Sequence, residues 1–161
     1  MDLTIDKDLE AATLTVVATF DHPVEKVWDL YADPRKLERW WGPPTYPATV
    51  VEHDLRPGGV VRYFMTSPEG ERFHGRWDVD AVDEGKGFET RDGFADADGN
   101  LVDGMPVSTM VYTLEATDTG ARMTCVARYA STEDLAKVLE MGMEEGLAAS
   151  MGQMEAVLAE S

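Results

Sequence analysis

The chain has 161 residues, with 14 Lys and Arg against 31 Asp and Glu, a formal charge of −17, and 43% apolar residues. This is a globular composition for a single domain over 1–161, with its core at about 12–159, large enough to bury most of its apolar surface and leave room for a cavity. Such acidity argues against a nucleic-acid binder, which needs Lys and Arg to replace counterions on phosphates, and against docking on an anionic leaflet. No run approaches the ~18 apolar residues of a membrane span, and the start MDLTIDKDLE has no apolar signal core, so the expectation is a cytoplasmic protein without membrane insertion. One cysteine, Cys125, allows no internal disulfide, as suits a reducing compartment.

In chain order, Ala12 to Phe20 (ATLTVVATF) is rich in Thr and Val and reads as a strand. Pro23 suits a first helical position, and Val24, Val27, Trp28 and Tyr31 recur at helical spacing. Asp33-Pro34 ends that helix and caps a second, which carries Leu37, Trp40 and Trp41 and stops at Gly42-Pro43-Pro44. Six strand-like runs follow at about 46–55, 59–66, 72–82, 86–94, 107–116 and 121–130, with Gly, Pro and Asp turn formers between them. In the third run Phe73, Gly75, Trp77, Val79 and Ala81 alternate with His74, Arg76, Asp78 and Asp80, giving one buried and one wet face. One long helix is expected from about Thr132 to Ala159, with Ser131 or Thr132 as its cap. Its stripe of Leu135, Leu139, Met143, Leu147, Met154, Val157 and Leu158 falls within about 140° of arc.

Strand, two short helices, six strands and a long closing helix make an α+β plan, a curved antiparallel sheet wrapped around its C-terminal helix. Pro23…Val27-Trp28, then Asp33-Pro34…Leu37…Trp40-Trp41-Gly42-Pro43, resemble the START-like (SRPBCC) superfamily. Asp54-Leu55-Arg56-Pro57-Gly58-Gly59, Glu69-Gly70, Phe73-His74-Gly75 and Gly142-Met143-Glu144-Glu145-Gly146 bring the resemblance closest to the bacterial family named for the activator of the heat-shock protein 90 ATPase. The resemblance runs over about 13–158. It implies a helix-grip fold with a cavity between the sheet and the last helix. It leaves chemistry open, because members of this superfamily include lipid carriers, cyclases and co-chaperone domains.

The last helix carries the most informative detail. Gly142, Gly146 and Ser150 interrupt its apolar stripe, and two glycines inside a helix each cost about 1 kcal/mol relative to alanine. Small side chains there either leave space for a guest or let the helix approach the sheet closely. Met141, Met143, Met151 and Met154 on the same helix suit a surface that accepts varied apolar shapes, or an ordinary core. The expected binding set comprises Trp40, Tyr63, Met65, Trp77, Phe88, Met110 and Tyr112 from the N-terminal helices and the sheet. The last helix adds Met143, Gly146, Leu147, Ser150 and Met154. Trp40 and Trp41 either lid the cavity mouth or pin their helix to the sheet.

No catalytic residues, metal ligands or cofactor are expected. His22, His53 and His74 form no ligand motif and read as surface residues, and Asp96-Ala97-Asp98-Gly99-Asn100 fails as a calcium loop because Phe94 and Met105 fall at its ligand positions. No nucleophile elbow or phosphate loop occurs, and Cys125 reads as a buried apolar residue. Arg62, Arg76, Arg122 and Arg128 are expected mostly outside, paired with carboxylates. The sequence therefore points to binding of a small hydrophobic ligand. Two alternatives stand beside it: a co-chaperone-like module with a protein partner, the assembly also leaving room for a homodimer, and a cyclase- or hydrolase-like enzyme using Glu52, His53, Asp92, Tyr63 or Tyr112.

Overall fold

Alternating apolar and polar side chains set the sheet, and two short helices bridge its far edges. A computed structural model describes residues 1–160. The strands are β1 (Asp2–Asp8), β2 (Thr13–Phe20), β3 (Ala48–His53), β4 (Val60–Thr66), β5 (Arg72–Asp83), β6 (Gly87–Ala95), β7 (Val107–Ala116) and β8 (Ala121–Tyr129). They form one eight-stranded antiparallel sheet in the order β1-β2-β8-β7-β6-β5-β4-β3. The sheet is curved and unclosed. Register shifts between Val50 and Glu52 and between Val79 and Ala81 mark irregularities of the kind that bend a strand and raise its twist. The chain leaves β2, the second strand from the β1 edge, and reaches the opposite β3 edge through α1 (Val24–Ala32) and α2 (Pro34–Trp40).

The six meander strands lie where turn formers and alternation place them. The first strand, β1, was not expected from the sequence, because Asp2, Asp6, Lys7 and Asp8 mask its alternation. Its Leu3 and Ile5 pack against the core while Asp2, Asp6 and Asp8 face out and Lys7 pairs with Glu144, the charged composition that keeps an edge strand from pairing with another chain. Pro23 sits one position earlier than expected, as the cap of α1 rather than its first residue. Asp33 caps α2 as expected, its carboxylate accepting from Arg35 N at 2.9 Å.

The closing helix is divided into α3 (Thr132–Glu140), α4 (Met143–Met151) and α5 (Met154–Ala159). Ser131 caps α3 by accepting from Asp134 N at 3.1 Å. Gly142, at φ +86°, ends α3 in the left-handed conformation that side chains rarely adopt, so its cost inside a helix never arises. The second break, at Gly152 and Gln153, keeps right-handed geometry. There the Gln153 side-chain amide donates to the carbonyls of Gly42 at 2.7 Å and Trp40 at 3.3 Å. It ties the start of α5 to the end of α2.

The main core lies where α1, α2 and α5 cover the sheet. Tyr31 sits 5.1 to 5.5 Å from the ring centres of Trp40, Phe88 and Tyr112. Phe88 and Tyr112 stack at 4.2 Å. Such contacts add about 0.5–1.5 kcal/mol each beyond burial. Among the described residues no helix is long and apolar enough to cross a membrane.

Candidate functional site

The curvature of the sheet leaves a space that α4 spans without filling. It has a volume of about 880 Å³, within the range of about 300–1,000 Å³ usual for small-molecule pockets. Its roof runs from Val138 on α3 through Met143, Gly146, Leu147 and Ser150 to Met151 on α4. Its floor is the concave face of β4 to β8 and β2, and its end wall is Trp40 and Trp41. A second, open groove of about 900 Å³ lies at the other end of the sheet, between the start of α1, the β5–β6 turn and β7. Charged, solvent-facing residues such as Glu25, Lys86 and Glu115 border that groove, so the space under α4 is the candidate site.

The structure answers the question posed by the small residues of α4. A Cβ placed at Gly146 meets no heavy atom within 4 Å, so this glycine does not serve close helix–sheet approach. Gly142 serves the break between α3 and α4. Ser150 is buried and donates to the Gly146 carbonyl at 2.8 Å, within its own helix. Glycine does permit close packing on the cavity floor at Gly75, where a Cβ would collide with the ring of Tyr63 on the neighbouring strand.

Of the residues expected at the site, Trp40, Tyr63, Met65, Met110 and Tyr112 line the cavity from α2 and the sheet, and Met143, Gly146, Leu147 and Ser150 line it from α4. Trp77, Phe88 and Met154 are not in the wall. Trp77 and Phe88 belong to the packed aromatic core, and Met154 is fully buried on α5. Trp40 and Trp41 pin α2 rather than form a lid: both are buried, and the Trp40 indole donates to the Leu30 carbonyl at 2.8 Å. The cavity mouth is instead rimmed by Tyr46, Phe73 and Met141, whose apolar side chains are exposed.

Two histidines expected at the surface tie elements together. His22 bonds Glu155 on α5 at 2.7 Å, and His53 bonds the Tyr31 carbonyl at 2.8 Å. His74 is half-buried against the ring of Phe64. Arg76 pairs with Asp78, Arg62 with Glu52 and Arg122 with Glu115, all with contacts of 2.8 to 3.3 Å. Glu52 is thus an exposed ion-pair partner, outside the cavity. The segment after β6 is held by Asp96, whose carboxylate accepts from the backbone of Asp98 and Asn100, and by Arg76 donating to the Gly99 carbonyl. Among the described residues no group of three His, Cys, Asp or Glu side chains is placed to hold a metal.

The polar lining is small and specific. Trp77, Asp92, Ser108 and Tyr129 are register partners in sequence across β5, β6, β7 and β8, forming a row on the concave face. Asp92 is half-buried, and among the described residues no hydrogen bond or ion pair engages its carboxylate; burial pushes its pKa up to about 7. Burial likewise raises the phenols of Tyr31, Tyr63 and Tyr112 well above their usual range, and that of Tyr129 also, while Cys125 is pushed up to about 12. All of these stay neutral near pH 7. The indole N–H groups of Trp41 and Trp77 are buried without a bonding partner among the described residues, yet lie near enough to the Tyr63 hydroxyl to favour its ionised form slightly. Sequence reasoning named Asp92 only as one of several titratable residues, and passed over Ser108 and Tyr129. Continuing the alternation from Phe88 through Thr90 to Asp92 and Phe94 would have placed that carboxylate inside.

The family model described as "Activator of Hsp90 ATPase homolog 1-like protein" matches residues 21–159. The crystal structure of protein Ms6760 from Mycobacterium smegmatis is 52% identical, covering 98% of this chain and 97% of that one, with a TM-score of 0.90. A solution structure of an Arthrobacter aurescens protein is 42% identical over 98% of this chain and 92% of that one, with a TM-score of 0.92. A Rhodobacter sphaeroides protein at 18% identity and TM-score 0.86, covering 99% and 100% of the two chains, shows the shared fold alone. No curated protein matches. With its helix-grip architecture of the START-like type, the chain belongs to the family of activator of Hsp90 ATPase homolog 1-like proteins.

Proposed function

We propose that the protein binds a small, mainly hydrophobic molecule in the cavity between the curved sheet and α4. The observation that carries this reading is the roof: Gly146 borders free space, and Met143 and Leu147 stay only partly buried over an apolar floor. A guest would complete their burial, at about 25 cal/mol per Å² of apolar surface before the costs of association. The test uses N-phenyl-1-naphthylamine, a neutral apolar fluorophore, with binding read by emission and by a rise in melting temperature. Binding to the native chain, lost in Gly146→Trp while the fold is kept by circular dichroism, is the expected result. Absence of binding by this probe and by a broad set of neutral apolar compounds would overturn the reading.

A second reading rests on the family description, which names an ATPase activator. Under it the exposed apolar rim of Tyr46, Phe73 and Met141 meets a protein partner. Stimulation of the chaperone's ATPase by the native chain, abolished by Phe73→Ser, supports it; no stimulation removes it.

A further inference from the structure

We propose that Asp92 selects the guest's polar end: the cavity takes apolar amines, whose ammonium group pairs with this carboxylate, and rejects apolar acids of the same skeleton. This inference rests on the cavity reading above and specifies its ligand class.

The argument starts from what faces Asp92. On its own sheet the neighbours are Trp77 of β5 and Ser108 of β7, with Tyr129 of β8 one strand further. Tyr63 of β4, Tyr112 of β7 and Cys125 of β8 are the other titratable groups that feel its charge, and each is held neutral by burial. Among the described residues, Glu145 is the only lining carboxylate contributed by the roof, and His74 the only lining histidine. Among the described residues no Lys or Arg lines the cavity. Four sheet arginines pair with carboxylates outside the cavity, Arg76 with Asp78, Arg62 with Glu52, Arg91 with Asp80 and Arg122 with Glu115. Arg72 lies over the ring of Phe64, and Arg128 is exposed outside the lining. An entering carboxylate or phosphate would therefore find no counterion and a like charge. An ammonium group would find an acceptor whose desolvation the fold already bears, so the usual penalty for burying an ion pair falls mainly on the ligand. Ser108 and Tyr129 supply hydroxyls in the same row, able to accept the remaining ammonium hydrogens. The Asp92 pKa near 7 adds a pH signature: the carboxylate that pairs with the ammonium is progressively lost below neutrality.

The experiment compares 1-naphthylmethylamine, 1-naphthalenemethanol and 1-naphthoate, with N-phenyl-1-naphthylamine as the neutral reference, titrated calorimetrically into native protein and Asp92→Asn at pH 8. The expected order is amine, then alcohol, then acid, with the amine at least about tenfold tighter than the acid, equivalent to about 1.4 kcal/mol. Asp92→Asn should bring amine and acid within about threefold, roughly 0.6 kcal/mol. In native protein, amine affinity should fall from pH 8 to pH 5.5 while that of the alcohol stays level; this arm needs no variant and holds even if Asp92→Asn fails to fold. Equal binding of acid and amine, or a flat pH profile for the amine, overturns the selectivity proposal while the reference probe still reports an apolar site. Failure of the reference probe to bind native protein overturns the cavity reading, and this inference with it.

Discussion

Two consecutive pieces of the closing helix, α4 and α5, behave in opposite ways. On α5, Met154, Val157 and Leu158 are all at most 2% exposed, packed where α1 and α2 close the core. On α4 only the last two residues, Ser150 and Met151, are buried, while Met143 and Leu147 are only partly buried against the core. The difference is not one of composition, since both carry Met and aliphatic residues on the sheet side. It comes from what stands opposite: α5 meets two helices, whereas α4 meets the hollow of a bent sheet. Stability is thus concentrated at one end of the helix and space at the other, which is how a domain keeps a cavity without giving up its core.

The sharpest way to break that contrast is to truncate one side chain in each piece. Leu158→Ala, at 1% exposure in the α5 core, should cost about 2–5 kcal/mol by chemical denaturation, the range for emptying a packed leucine site. Leu147→Ala over the cavity should cost about 1 kcal/mol or less, since part of its surface is already unburied and no new void forms around it. Similar losses at both positions would show that α4 packs as tightly as α5.

That contrast was only half legible in the sequence. Strand order and the two short helices follow from alternation and caps that act over a few residues, and Asp33, Ser131 and the turn glycines could be read directly. The helix stripe was equally clear, yet it predicted one rod. A stripe reports which face is inward and not how far away the opposite surface lies, and Gly142 looks alike as a helix interior or a left-handed stop. Trp77, Phe88 and Met154 were placed in the cavity for the same reason: inward-facing is a local property, while wall or core depends on sheet curvature. Asp92 was obscured because a single carboxylate in a chain with 31 acidic residues carries little signal until cross-strand register sets it beside Trp77 and Ser108.

The next effect probes the floor of the cavity through pH. The Asp92 carboxyl has an ordinary pKa of 3.8 and is raised to about 7 in the fold. Between those values the unfolded chain releases a proton that the folded chain retains, so this group lowers stability as pH rises from about 4 to about 7, then holds level. The shift sets a ceiling of about 4 kcal/mol, and cavity water should reduce it to roughly half. Asp92→Asn should therefore stabilise the protein more at pH 8 than at pH 4, read as a difference between the two melting-temperature shifts. An equal shift at both pH values would mean that the carboxylate is well solvated. A smaller loss, about 1 kcal/mol, is expected for Gln153→Ala, which removes the amide bridging α5 to the carbonyls of Gly42 and Trp40.

The smallest change runs the other way. Gly146 sits inside α4, where glycine costs about 1 kcal/mol relative to alanine, and an added Cβ there touches nothing. Gly146→Ala should raise stability by up to that amount, a few degrees in melting temperature for a chain of this size. A destabilising alanine would mean that α4 moves onto the sheet in solution and that Gly146 is needed for that contact. A stabilising alanine that also weakens binding of N-phenyl-1-naphthylamine would place the glycine at the guest's own surface. The helix would then give up local stability so that its middle stays thin above the space it covers.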